Sequence, residues 1–411
     1  MNKQLYNKLK ITFLYLFIVA LIGTYLRFMF IFDPGILIFQ YLLHSHSHTA
    51  ILGWIYNALF IAIVYTYLPE SINSKKYNII FWITQISIIG MMFSFAVHGY
   101  AAVSISFSTL HIIMSYIFIY CFVKDVSNGT KEKLVSLKFI YAGLFFLFLS
   151  SFGPWGLAVI IANGLSETDL YKQAIYFYLH FQYNGWFIFS LTGIWLSKIE
   201  MGLNEAQLKI LKSSFIILFI SNFPAYFLSL LGFKINTAIW IIAFLSALLQ
   251  LYGARNLYKV LFATEKKLFA NADTWQIRLF RLSFLLLFVK FILQLISALP
   301  ETGSPAFISR EVSIAYIHMI MLGVVTTGLM GWMGHSGLMD LSGSQFTFGI
   351  KLFLAGFIIS EALLFYPAMV LWFHAQVIPF YSIFLFACSV LMLIGILILC
   401  ISFRKIFQVQ G

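Results

Sequence analysis

Charge is what this chain has little of. Only 10% of its 411 residues are Asp, Glu, Lys or Arg, and Asp and Glu together number 14, where a soluble domain carries about a quarter charged residues. That scarcity excludes an ordinary soluble fold. Cysteine is scarce too: Cys121, Cys388 and Cys400 lie singly inside apolar runs, so they read as packing residues and no disulfide framework is implied. Low-complexity tracts are absent. The longest polar stretch, around 255–281, is too short for a soluble domain, and its 266-KKLFANADTWQIRLFR-281 reads as an interfacial amphipathic helix.

What fills the chain instead is apolar: 61% of residues are hydrophobic and the mean hydropathy is +0.93. Runs of about 20 apolar residues, the length that crosses a bilayer core as a helix, recur from end to end. About twelve are expected, near 11–31, 46–68, 78–100, 103–123, 138–162, 174–197, 213–232, 236–253, 282–300, 311–333, 347–370 and 378–402. Continuous runs favour helices over the alternating strands of a barrel. The expected fold is therefore an all-α integral membrane protein, one polytopic domain over residues 1–411. The first run lacks a small-residue cleavage site and reads as the first span, not a signal peptide.

The net charge of +12 invites a nucleic-acid partner, but its placement argues for lipid instead. With the amino terminus inside, basic clusters such as Lys3–Lys8–Lys10, Lys75–Lys76, Lys131–Lys133–Lys138, Lys266–Lys267 and Arg404–Lys405 fall at inner ends, while Lys172, Lys234 and Arg310 fall outside. This positive-inside bias predicts a multi-pass protein of the cell inner (plasma) membrane with both termini cytoplasmic.

The nine histidines then sort by depth. His44, His46 and His48 lead into span two from the outside, in 44-HSHSHTAILGW-54, and His98 leaves span three outward. His111, His180 and His318 lie in the outer halves of spans four, six and ten, His374 lies in an outer loop, and His335 lies inside. An intraspan imidazole needs partners that lipid does not supply, and one alone can bond a neighbouring carbonyl. Several at one depth suit a shared metal or cofactor, since iron and copper centres take converging neutral imidazoles. His44 and His48, four apart, can share a helical face, leaving His46 to point away. Were the helix to begin only at His46, an extended HSHSH lead-in could bind copper or zinc.

An internal repeat runs through these positions. Span two has 48-HTAILGW-54, span six 180-HFQYNGW-186 and span ten 318-HMIMLGV-324, each His, four residues, then Gly, roughly 130–140 residues apart. Such recurrence suggests related bundles around a pseudo-symmetry axis. On an α-helix five residues turn about 140° net, so the Gly would lie off the His face and offer a neighbour close approach. Lys290 and Glu361 also fall near the middle of spans nine and eleven, as an ion pair or a proton path.

At these residues the chain resembles the twelve-span catalytic subunit of the heme-copper oxidase superfamily, nearest its nitric oxide reductase branch. In 48-HTAILGWIYNALFIAIVYTYLPE-70 it keeps the span-two His48-Thr49, the tyrosines Tyr65 and Tyr67, and Pro69-Glu70; in span six it keeps His180, Gly185 and Trp186, with Asn184 where the reductases have Glu. The resemblance implies a pseudo-threefold bundle and a low-spin heme b with axial His48 and His318. Arg27 and Arg310 would serve the propionates, which guanidinium groups suit. His318 aligns with the second histidine of the family's span-ten His-x-His, and Tyr316 stands where the first would be; Tyr ligates heme in some proteins.

Span seven, 213-SSFIILFISNFPAYFLSLLG-232, has none of the family's metal-binding histidines. The resemblance thus implies an active metal site that is degenerate or altered. Metal candidates that remain are His180, on its family position, and His46, His44, His111 and His98, for a second heme, copper or non-heme iron.

The chain also resembles the NnrS proteins, heme- and copper-containing membrane proteins of nitrosative stress, through 46-HSHTAILGW-54 and 318-HMIMLGVVTTGLMGWMGHSG-337. Either resemblance implies a heme protein in electron transfer or nitric oxide and oxygen physiology, with cytochrome c or quinol as donor and room for accessory subunits. If it turns over a substrate, the implied type is an oxidoreductase like the reductases and terminal oxidases. A transporter using the histidines without heme is the third class. It is disfavoured because Pro154 and Pro224 are the prolines that interrupt apolar runs, and broken helices are otherwise scarce.

Overall fold

A computed structural model of the chain describes residues 3–32, 35–127, 134–270, 272–299, 310–373 and 378–408. They are helical, with no strand among them. A chain this apolar, in lipid, must satisfy each backbone N–H and C=O internally, and the helix does so within one segment. The helices are α1 Lys3–Phe28, α2 Phe39–Tyr67, α3 Lys75–His98, α4 Ala102–Ser127 and α5 Val135–Ala162, then α6 over 169–196 and α7 Glu205–Asn222. The remainder are α8 Thr237–Leu268, α9 Thr274–Ser297, α10 Arg310–His335, α11 Ser344–Phe373 and α12 Tyr381–Gln408.

Ten of these are long and apolar enough to span a membrane, and α7 with the following 3-10 turn Pro224–Leu230, bent by 45°, makes an eleventh. Each falls on an apolar run that the sequence marks. The helix α6 is not among them, because its middle holds His180, Gln182 and Asn184.

Three expectations change. First, α2 begins at Phe39, not His46, because the apolar 36-ILIFQYLL-43 extends the helix backwards and buries Leu42; the HSHSH stretch is helical, not extended. Second, 266–281 is not one amphipathic helix: α8 ends at Leu268, with Lys266 and Lys267 in a last turn whose dipole favours cations, and α9 starts afresh at Thr274. Third, Pro367 lies within α11, a further proline inside a span.

The chain divides into two compact units. The first comprises residues 1–125, 273–279 and 329–411. Here α1 packs on α2 and α12: Thr24 donates to the Ser389 carbonyl at 3.2 Å, and Tyr6 stacks on Phe403 with ring centroids 5.4 Å apart. The second comprises residues 126–272 and 280–328, with α5 on α6 and α7 on α8. The buried Glu200 carboxylate accepts from the amides of Val135 and Ser136, satisfying donors that every helix N-terminus leaves open. Trp195 donates across this unit to the Gly328 carbonyl at 3.1 Å.

Candidate functional site

The three repeats coincide with three departures from α geometry. A π-helical segment begins immediately after each repeat histidine: Thr49–Tyr56 after His48, Phe181–Phe187 after His180 and Met319–Thr326 after His318. The π-helix pairs positions five apart, which is the His-to-Gly spacing. A π turn is wider than an α turn, so the glycine returns nearer the histidine face than the offset expected of an α-helix. At Gly53 and Gly185 an aromatic side chain stands where a Cβ would be. At Gly53 it would lie 3.0 Å from Tyr15, and at Gly185 2.4 Å from Phe146.

In repeat one, Asn57 takes the Gly53 carbonyl at 2.8 Å and pairs with Gln85 at 3.1 Å in both directions, all buried. His48 donates from Nδ1 to the His44 carbonyl at 2.9 Å. This settles the tautomer and leaves the Nε2 lone pair without a hydrogen-bond partner among the described residues. Phe95 stacks on the His48 ring at 4.2 Å, and Tyr100 meets His44 edge-on at 4.7 Å. His44 and His48 thus share a face, as their spacing predicts. His46 points the other way, with Nδ1 on the Val19 carbonyl at 3.1 Å and its ring against Gly23.

In the same unit His111 is buried on α4. Its Nδ1 is 3.4 Å from the Ser115 hydroxyl, Tyr56 packs edge-on at 4.7 Å, and its Nε2 is buried with no hydrogen-bond partner among the described residues. His98 ends α3 exposed to the surroundings.

Repeat two is wired differently. His180 donates from Nε2 to the Asn222 carbonyl at 2.9 Å, and Asn184 donates to its Nδ1 at 3.0 Å. Asn222 ends α7 where the helix bends into Pro224–Leu230, and Gln250 of α8 reaches it at 3.4 Å. Lys290, buried, holds its Nζ 4.1 Å from the centre of the Phe291 ring.

Repeat three returns to the pattern of the first. Thr327 donates to the Gly323 carbonyl, as Asn57 does to Gly53, and Thr326 and Ser283 take the Met321 and Val324 carbonyls at 2.8 and 2.7 Å. His318 closes the α-helical turn before the π segment. Two residues earlier, Tyr316 meets Tyr183 at 6.2 Å, its hydroxyl buried without a hydrogen-bond partner among the described residues. Arg310, exposed, begins α10; Arg27 lies half-buried in the last turn of α1. Both oxygens of Glu361 on α11 are buried with no hydrogen-bond partner among the described residues. His374 lies outside the described residues.

Sequence reasoning missed Asn57, Gln85, Asn222 and Gln250. Their signal was available: each is a lone amide inside an apolar run, and a buried amide must be paired. Among the described residues, no three His, Cys, Asp or Glu side chains gather as a metal-binding group. Comparison with protein-family models and with curated proteins finds no match to this chain.

Proposed function

We propose that the chain is a twelve-span inner-membrane protein of heme-copper oxidase-like, pseudo-threefold build that holds a low-spin heme b and passes electrons. His48 and His318 are the residues that would hold it. The observation that carries this reading is the state of His48: Nδ1–H fixed on the His44 carbonyl, so that the free lone pair belongs to Nε2. A hydrogen-bonded Nδ1 is how metal-ligating histidines are oriented. The residue four on from His48 is Leu52, where repeat two has Asn184, so repeat one has no polar side chain there to compete for the imidazole.

A heme b held by two imidazoles would supply one-electron transfer. Around it this chain contributes the Phe95 ring stacked on His48, and Arg27 and Arg310 as propionate partners. A second heme, copper or non-heme iron centre would draw on His46 and His111. Cytochrome c or a quinol is the proposed donor.

The test is spectroscopic. The purified protein should give reduced-minus-oxidised bands of heme b, a pyridine hemochrome and no shift with carbon monoxide. A colourless protein sinks the proposal, and a carbon monoxide shift replaces electron transfer with gas chemistry. An NnrS-like protein would add copper to the heme. The 45° break at Phe223 favours a transporter, since transporters coordinate solutes at broken helices; a colourless protein that moves solute in vesicles would select it.

A further inference from the structure

Beside His180 lies a cavity about the size of one water molecule, lined by Asn184, Thr192, Asn222 and Gln250 among apolar side chains. The three amides are 4%, 1% and 2% exposed for Asn184, Asn222 and Gln250. Asn184 Oδ1, Asn222 Nδ2 and Gln250 Oε1 are all buried without a hydrogen-bond partner among the described residues. Such atoms are costly unless something pairs them.

Their donor and acceptor roles can be derived. His180 Nε2 lies on a backbone carbonyl, which only accepts, so Nε2 carries the proton and Nδ1 the lone pair. Asn184 must then turn its NH2 to Nδ1 and leave Oδ1, an acceptor, to spare. Gln250 and Asn222 share one bond, N to O. Flipping both amides reverses that bond yet still leaves one NH2 and one C=O over. In either assignment the three amides leave two acceptors and one donor.

We infer that this cavity binds a single neutral molecule of water's size with two hydrogen-bond donors and one acceptor, and that the second repeat is built around this guest in place of a metal ion. An anion would face two acceptors and a cation a donor. Nitric oxide and dioxygen bring no donor and would leave two carbonyl oxygens unpaired. Water meets all three requirements. It ties α6, α7 and α8 together at the bend of α7, and the same network occupies both ring nitrogens of His180. The inference rests on hydrogen bonds within one unit and stands whether or not the protein holds heme.

The test uses the full chain in detergent or nanodiscs. A density map that shows ordered waters should contain one peak within hydrogen-bond distance of Asn184 and Gln250, lost in Gln250→Met, whose side chain fills the space. Nitrogen-15 spectra of labelled wild-type protein, which need no variant, should show His180 as the neutral Nε2–H tautomer. His180→Ala should leave the iron, copper and zinc content unchanged. No peak, amides closed upon one another, an Nδ1–H tautomer, or loss of a metal with His180→Ala would each overturn the inference. The heme spectrum reads His48 and His318, so the two readings fail separately.

Discussion

His48 and His180 each stand before a π segment, with a glycine five residues on and a tryptophan after it, yet their imidazoles meet opposite fates. At His48 the hydrogen bond runs back one turn to the His44 carbonyl and Nε2 has no partner among the described residues. At His180 it runs across to the Asn222 carbonyl, while Asn184 closes Nδ1. Four positions separate them in sequence, and the one whose side chain reaches the imidazole in repeat two is Asn184, where repeat one has Leu52. A π turn leaves carbonyls and space that a straight helix would not, and the side chain four residues on decides whether the imidazole is drawn into a local hydrogen-bond network, as Asn184 draws His180.

Deleting each histidine should have the largest effect. His48→Ala should abolish the heme b spectrum, and His180→Ala should leave it intact; equal loss in both would end the distinction. Next in size is overpacking at the glycines. Gly185→Ala, whose added Cβ would meet the Phe146 Cβ at 2.4 Å, should lower stability by about 1–3 kcal/mol and more than Gly53→Ala, where the Tyr15 ring stands at 3.0 Å. Thermal melting in detergent reads the order directly.

Asn184→Leu converts repeat two to the residue of repeat one. It strips His180 Nδ1 of its donor, so a loss of about 1–3 kcal/mol is expected, with no change in heme content. The smallest effect belongs to Thr327→Val, which removes the side-chain bond to Gly323 for about 0.5–1.5 kcal/mol. A larger loss there than at Asn184 would mean that the third repeat depends on its side-chain bonds more than the second.

Much of the fold was legible because a membrane helix must be long and continuously apolar, and Leu, Ile, Phe and Val leave no ambiguity about that. The boundaries that shifted did so for local reasons, as at Phe39, where apolar residues precede the histidines. The site was legible only as positions. His44, His46 and His48 could be assigned to faces from their spacing, but that a π segment follows each repeat histidine could not, since the same seven residues are compatible with an α-helix.

Composition and spacing alone establish a many-span helical membrane protein in which three histidines recur in one pattern, with Leu or Asn four residues after them. Which nitrogen is held at His48 and which at His180 follows from packing. That depends on the partner standing opposite: the His44 carbonyl one turn back for His48, and for His180 the Asn222 carbonyl, 42 residues away along the chain, brought close by the packing of α6 against the bent end of α7.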